Sequence, residues 1–551
     1  MQFFSYQRTE KKPGVFALFF SIFSALITLS YIRNSGGVAI ELPLNLLTLM
    51  VIGCAYIYVF LRYRLSRSYY KNAFLLVGVV ALMTPWLLDI KASQGGVLLL
   101  VALLAWQYLA KQSMSQYHRR YILWMVFLLA LGQAAICAVQ SFLPQLAGSM
   151  FEYVWLRSHG RPYGIFQQIN VLASFLATGL GCGFLLLRTE EQKFSRVFIM
   201  LGLGGLAFML GINQSRVGEL GVAVILVTLS IVLKGEIPAL RVIIAWSVIV
   251  LALVTGVWCV NHLHFMINGK EYLLAREFAG SNYNRWHVLK ITLQMIALKP
   301  WFGWGYGTFE YAFSRYVIAH PELNFPLTEN FTHPHNELLY AWFQGGVVAF
   351  AGMLLLFAGW IKILIEGFRH SRLSAAYALL ILPFLLHLNT EYPFYQSFVH
   401  FALFVLLLRL GVVDEPGDRA LNSRSSSLSM RLLYAVTGIS LLTFGLVGLY
   451  ANQQLTQFER SGLINFSAET PWYFETQSER AKFDGMVSLL MKYNRSSDPE
   501  TLMRFMLDAE EYSHHHNDKR VLIYMSVVAH KLGNDELALQ MRKLCMQLFP
   551  S

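Results

Sequence analysis

The feature that most restricts how this chain can fold is a long succession of apolar runs, each near the length needed to cross a bilayer. They lie at about 14–32, 44–61, 73–90, 97–110, 121–142, 169–187, 197–212, 217–233, 242–260, 338–361, 374–387, 398–411 and 432–451. Roughly 20 apolar residues in a helix span about 30 Å of hydrocarbon. Lipid offers no hydrogen bonds, so each such run must satisfy its own backbone, and the helix does that. Composition agrees. Hydrophobic residues make up 56% of the chain and charged residues only 14%, against about 25% charged in a soluble domain. Mean hydropathy is +0.47. The expected fold class is therefore all-α: a polytopic membrane protein with about 13 transmembrane helices.

The net charge of +12 over 551 residues would suit nucleic acid if it were gathered on one face. Here the basic residues sit in short loops between apolar runs, where they orient spans, so the expected partner is the lipid bilayer and no nucleic acid. With a cytoplasmic N-terminus, 22 basic residues fall in inner segments, among them Arg8, Lys11, Lys12, Arg119, Arg120, Arg369 and Arg372. Only 5 fall in short outer loops: Arg33, Lys91, Arg157, Arg161 and Arg216. An odd number of spans then puts the C-terminal tail outside. The run at 14–32 is too long for a signal-peptide core and lacks a small-residue cleavage site, so it reads as the first span.

This gives nine spans within 1–260, a large outer loop at 261–337, four spans within 338–451 and an outer helical domain at 452–551. The end of the tail, "NDELALQMRKLCMQLFP", has the spacing of a closing tetratricopeptide-type helix; an ordinary small helical domain is the other reading. Of the five cysteines, four fall in apolar runs and none forms a CxxC pair, which excludes a disulfide framework and a zinc site. "HHH" at 514–516 reads as a polar turn.

Against this background "FTHPHNELLYAWFQGG" at 331–346 stands out. His333, His335, Asn336 and Glu337 close the large outer loop and open the next span, at a membrane edge. Interfacial anchoring alone does not call for two histidines followed by Asn-Glu. Arg216, in "GINQSRVGELG", lies between two apolar runs with almost no loop. It is either paired structurally or binds an anion, and its planar fork suits phosphate oxygens. Arg285 is a further outer arginine, on a stretch ending in "KPWFGWGYGTF". No phosphate loop is present, because no strand precedes "GWGYG" and no Lys-Ser/Thr follows it. "HPHNE" is not a metalloprotease motif, and no nucleophile elbow or paired carboxylates suggest a hydrolase.

"NQSRVGEL", "NRWHVLKITLQMIALKPWFGWGYGTFEYAF" and "HPHNELLYAWFQGGVVA" together resemble the bacterial lipid-linked glycan ligase superfamily, which holds O-antigen ligases, O-antigen polymerases and PglL-type protein O-oligosaccharyltransferases. Two further stretches resemble the protein-glycosylating branch. One is "GRPYGIFQQINVLASFLATGL", with Arg161, Gln167, Gln168 and Asn170. The other is "HLNTEYPFYQSFVHFALF", with Glu391.

The resemblance implies a donor oligosaccharide on undecaprenyl pyrophosphate and an exported acceptor protein such as a pilin. It also implies a bacterial inner-membrane location with a periplasmic active site, and no metal or other cofactor. His335, with His333 as the second candidate, would be the base that activates a Ser or Thr hydroxyl. Arg216 and Arg285 would bind pyrophosphate, with Arg161, Gln168, Asn170 and Asn336 also contacting substrate. Glu337 and Glu391 would orient the histidine or an arginine, or act as structural partners. The alternatives are an O-antigen ligase using lipid A-core as acceptor, and a transporter of lipid-linked sugars. A transporter would place its polar residues at mid-membrane, not at the edge.

Overall fold

A computed structural model describes residues 24–550 apart from 26, 63–70, 89–93, 113, 268, 275–280, 328, 415–427 and 468. The expected span at 14–32 and its basic flank lie largely outside the described residues. Each of the other apolar runs is helical over its described residues, the 374–387 run with a turn at 380–381. Among the described residues, seven helices are each long and apolar enough to cross a membrane: Pro43–Leu61, Gln116–Phe142, Ile169–Thr189, Lys193–Asn213, Ala239–His262, Glu337–His370 and Leu428–Arg460. Shorter apolar helices accompany them at Ala73–Leu87, Gly95–Leu109, Arg372–Leu388 and Phe398–Leu410. The protein is an all-α multi-pass membrane protein. Its one sheet among the described residues is a hairpin pairing His264–Ile267 with Lys270–Leu273.

The Ile169–Thr189 helix is the hub. Of its apolar window 89% is buried inside the protein, against 17% for Ala239–His262, which faces outward. Helices pair closely where small residues meet. A side chain at Gly53 would come within 2.7 Å of the Gly438 carbonyl, so the Pro43–Arg62 and Leu428–Arg460 helices touch backbone to backbone.

A second core lies off the bundle and joins two parts that are far apart in sequence. From the 261–337 loop come Val288, Ile291, Met295, Phe309, Phe313 and Phe331, and from the tail Met486, Leu489, Phe505, Val521 and Met525. The tail is four helices, Ser478–Ser496, Pro499–Ser513, Lys519–Lys531 and Asp535–Leu548. Polar ties reinforce the joint. Glu310 Oε1 accepts from the Asn517 backbone N–H at 2.6 Å and from Asn330 Nδ2 at 2.5 Å.

His516, from the "HHH" turn, stands between two carboxylates, with Glu479 Oε2 at 2.7 Å from Nε2 and Glu310 Oε2 at 3.7 Å from Nδ1. Burial alone would lower its pKa, but the hydrogen bonds and charges of Glu310 and Glu479 raise it to about 9 from an ordinary 6.5. A raised folded-state pKa means that the clamp holds a proton the unfolded chain gives up. Its stabilisation is complete below about pH 6.5 and is lost as pH rises toward about 9. Protease cleavage within 478–550 should therefore climb across that window in the parent. In His516→Gln it should be high and flat throughout; a parallel climb in that variant would locate the titration elsewhere.

The "GWGYG" turn docks into a break in the Glu337–His370 helix. Gly346 there has φ 65° and ψ −160°, which interrupts the helix. The Trp304 and Gly305 N–H groups donate to the Phe343 and Gln344 carbonyls at 2.7 and 3.1 Å, and Val347 N–H donates to the Trp301 carbonyl at 3.3 Å. These bonds satisfy backbone groups that the break frees. A side chain at Gly346 would lie 2.0 Å from the Trp301 carbonyl oxygen. The position admits only glycine on both counts, positive φ and close approach.

Candidate functional site

The site gathers around Glu391, which is almost fully buried in the short loop after the Leu382–Leu388 helix. Four side chains reach it. Gln168 Nε2 donates to Oε2 at 2.8 Å and Asn170 Nδ2 to Oε1 at 2.5 Å. His387 Nε2 lies 3.4 Å from Oε2, and the Arg285 guanidinium 3.7 Å from Oε1. Burial works to raise the Glu391 pKa, but the His387 contact and the Asn170 hydrogen bond hold it down at about 2. Glu391 is thus a fixed anion in a shell of donors.

Helix starts converge on this carboxylate, and the reason is local. Gln168 caps the Ile169–Thr189 helix, its Oε1 accepting from Val171 N–H at 2.6 Å. Ser215 caps Arg216–Val232, and its hydroxyl donates to Asn170 Oδ1 at 2.7 Å. Asn336 caps Glu337–His370 through Leu339 N–H at 3.0 Å and reaches Asn389 Oδ1 at 3.3 Å. Arg285 lies in the second turn of Ser281–Leu298. Helix N-termini carry partial positive charge and favour anions, so the region is cationic beyond its arginines.

The histidines close one side. Their rings are 4.4 Å apart, and Tyr392 packs edge-on against His333 with centroids 3.7 Å apart. His333 Nδ1 is 3.1 Å from the Thr332 hydroxyl. His333 Nε2, His335 Nδ1 and Glu337 Oε2 are buried with no hydrogen-bond partner among the described residues. Burial pushes the His333 pKa well below its ordinary value, with His335 adding to the effect. Burial, then Arg285, does the same to His335. Both rings are neutral at physiological pH and able to accept a proton. His335 also sits at φ 57°, and left-handed residues recur at Gln167 and Gln214. Three of the loops around the site therefore turn through left-handed backbone, a feature that clusters at functional sites.

The structure brings His333, His335, Gln168, Asn170, Arg285 and Glu391 into one group. Arg216 is exposed at the first position of its helix and joins through its neighbour Ser215. Arg161 is buried behind them. Its guanidinium donates to the Asn213 and Gln214 carbonyls at 3.1 and 3.3 Å, bracing the turn that presents Arg216. Asn336 spends its side chain on the helix cap and Asn389.

The sequence reading missed His387, Ser174 and Tyr392. Ser174 Oγ is 2.8 Å from His387 Nδ1, so Ser174, His387 and Glu391 form a line. Both Ser174 and His387 are fully buried, and the line ties Glu391 to the Ile169–Thr189 helix. The i,i+4 spacing of His387 and Glu391 was a usable signal. Among the described residues no three His, Cys, Asp or Glu side chains are grouped to hold a metal ion.

Fold and site together define a multi-pass helical membrane protein with a cationic, histidine-bearing site where helices begin. Three family models match the chain: O-antigen ligase over residues 201–354, virulence factor membrane-bound polymerase, C-terminal, over 375–551, and protein glycosylation ligase over 162–182. The chain belongs to the lipid-linked glycan ligase superfamily and carries likeness to the protein glycosylation ligases. No curated protein matches it.

Proposed function

We propose that this chain is a protein O-oligosaccharyltransferase of the bacterial inner membrane. It moves a whole oligosaccharide from undecaprenyl pyrophosphate to a Ser or Thr hydroxyl of an exported protein such as a pilin. The observation that carries the reading is the pair of neutral, unpartnered histidine nitrogens beside Arg285, where helix N-termini converge. The acceptor hydroxyl attacks the anomeric carbon and gives its proton to His335. The bond from that carbon to the pyrophosphate oxygen breaks, and pyrophosphate leaves with the electron pair. Arg285 and Arg216, with the helix N-termini, stabilise that anion. Glu391 holds Arg285 in place until pyrophosphate competes for it.

In this reading the 13 spans run from a cytoplasmic N-terminus, as the 22-to-5 asymmetry of basic residues supports. The 261–337 loop and the 452–551 tail then share the periplasmic face with the site. The protein glycosylation ligase match at 162–182 favours a protein acceptor. The longer O-antigen ligase match favours lipid A-core as the second reading.

Purified protein in liposomes, given lipid-linked oligosaccharide together with a pilin and with lipid A-core, distinguishes the two. The expected product is a pilin heavier by the intact glycan. Glycan found on lipid A-core alone would establish the ligase reading instead.

A further inference from the structure

The Ser281–Leu298 helix is apolar on two opposite faces. One face, with Val288, Ile291, Met295 and Ile296, enters the core shared with the tail. The other is exposed: Trp286 at 66% and Leu293 at 48%, with Leu298 at 62% where the helix ends, followed by Trp301 at 67% and Phe302 at 90%. A helix facing water would carry a polar outer face. This one has no acidic residue from 281 to 302; its outer side sets Lys290 and Gln294 among Trp286 and Leu293, and Lys299 follows at the helix end.

The depth of this face follows from its neighbours. Trp301 and Trp304 are bonded into the break at Gly346, and Trp342 Nε1 donates to the Pro300 carbonyl at 3.0 Å. Beyond the break the Glu337–His370 helix turns Val348, Leu354 and Phe357 outward, and near its far end Lys362 pairs with Glu366 at 3.7 Å. From Gly346 to Glu366 the helix rises about 30 Å, the thickness of the hydrocarbon layer. The break therefore lies at the hydrocarbon edge, and the exposed face continues the lipid-facing surface of that helix. Tryptophan gathers at this level, and lysines there meet anionic phospholipid headgroups.

We propose that the Ser281–Leu298 helix and the Trp301–Phe302 turn lie in the headgroup layer on the side of the histidines, with this face against lipid. Arg285, on the same helix, is then held at phosphate depth. That consequence rests on the pyrophosphate reading above; the lipid contact itself does not.

The test is a depth measurement that needs no substrate. In a Cys54→Ala, Cys259→Ala background, nitroxides are placed at Trp286→Cys, Lys290→Cys or Phe302→Cys. Leu354→Cys serves as the lipid reference and His514→Cys as the tail reference. The protein is reconstituted in phosphatidylethanolamine–phosphatidylglycerol vesicles, and collision with oxygen is compared with collision with a water-soluble nickel chelate. Positions 286 and 302 should favour oxygen, as 354 does, with 290 nearer the headgroups. If 286 and 302 favour the nickel chelate as 514 does, the face lies in water and the proposal is overturned. Should either variant not insert, the remaining positions decide by the same criterion. A chain inactive in glycan transfer would leave this result unchanged, so the two readings fail separately.

Discussion

Replacing His335 by alanine should abolish detectable glycan transfer while the protein still inserts and accumulates. The base it supplies is worth about 10²- to 10⁴-fold in rate, enough to take product below detection on a gel. The structure gives the prediction a physical basis. Burial and Arg285 keep the ring neutral, and Nδ1 has no hydrogen-bond partner among the described residues. His335 also lies in the loop ahead of the helix and belongs to none of the apolar cores, so the variant should keep its fold. His333 is more constrained, between Thr332 and the Tyr392 ring, and His333→Ala should retain more activity. Near-normal transfer by His335→Ala, with loss in His333→Ala, would exchange the two roles. Normal transfer in both would remove histidine from the chemistry.

Arg285→Lys should lose most activity although the positive charge remains, and Arg216→Lys should behave in the same way. Lysine offers one compact ammonium in place of a planar fork that can hold two phosphate oxygens. A charge-assisted hydrogen bond contributes about 1.5–3 kcal/mol, so losing one should slow transfer roughly 10- to 100-fold. Arg285 now faces Glu391 at 3.7 Å and is about one-third exposed, with its side chain at 31%. It is therefore anchored yet open to a competing anion. Membrane protein level by blot, read beside the gel shift of the acceptor, separates lost chemistry from lost protein. If both lysine variants glycosylate like the parent, pyrophosphate is held elsewhere.

How much of this was legible beforehand depends on whether the relevant pattern was local. The apolar runs are local, and the helices at Pro43–Arg62, Gln116–Phe142 and Ala239–His262 begin and end within a few residues of where hydropathy put them. The histidines were legible because ionisable groups are rare at the start of an apolar run. Arg161 and Asn336 were less so. The resemblance implies both as substrate contacts, and in the fold each also has a local partner, a pair of turn carbonyls and a helix start.

The joining of the 261–337 loop to the tail could not be read at all. Phe313 and Phe505 look like the inner faces of two separate small helices until both are found in one core. The sequence by itself determined the membrane class, the apolar segments that form helices and the types of side chain gathered at the start of the Glu337–His370 helix. Lipid forces every apolar run to close its own hydrogen bonds, and that requirement is written residue by residue. Only the tertiary structure decided that Gln168, Asn170, His387 and Arg285 would share one carboxylate. It alone decided that "GWGYG" would fill the break at Gly346. Such meetings depend on how helices far apart in the chain pack, and no local periodicity encodes the distance between them.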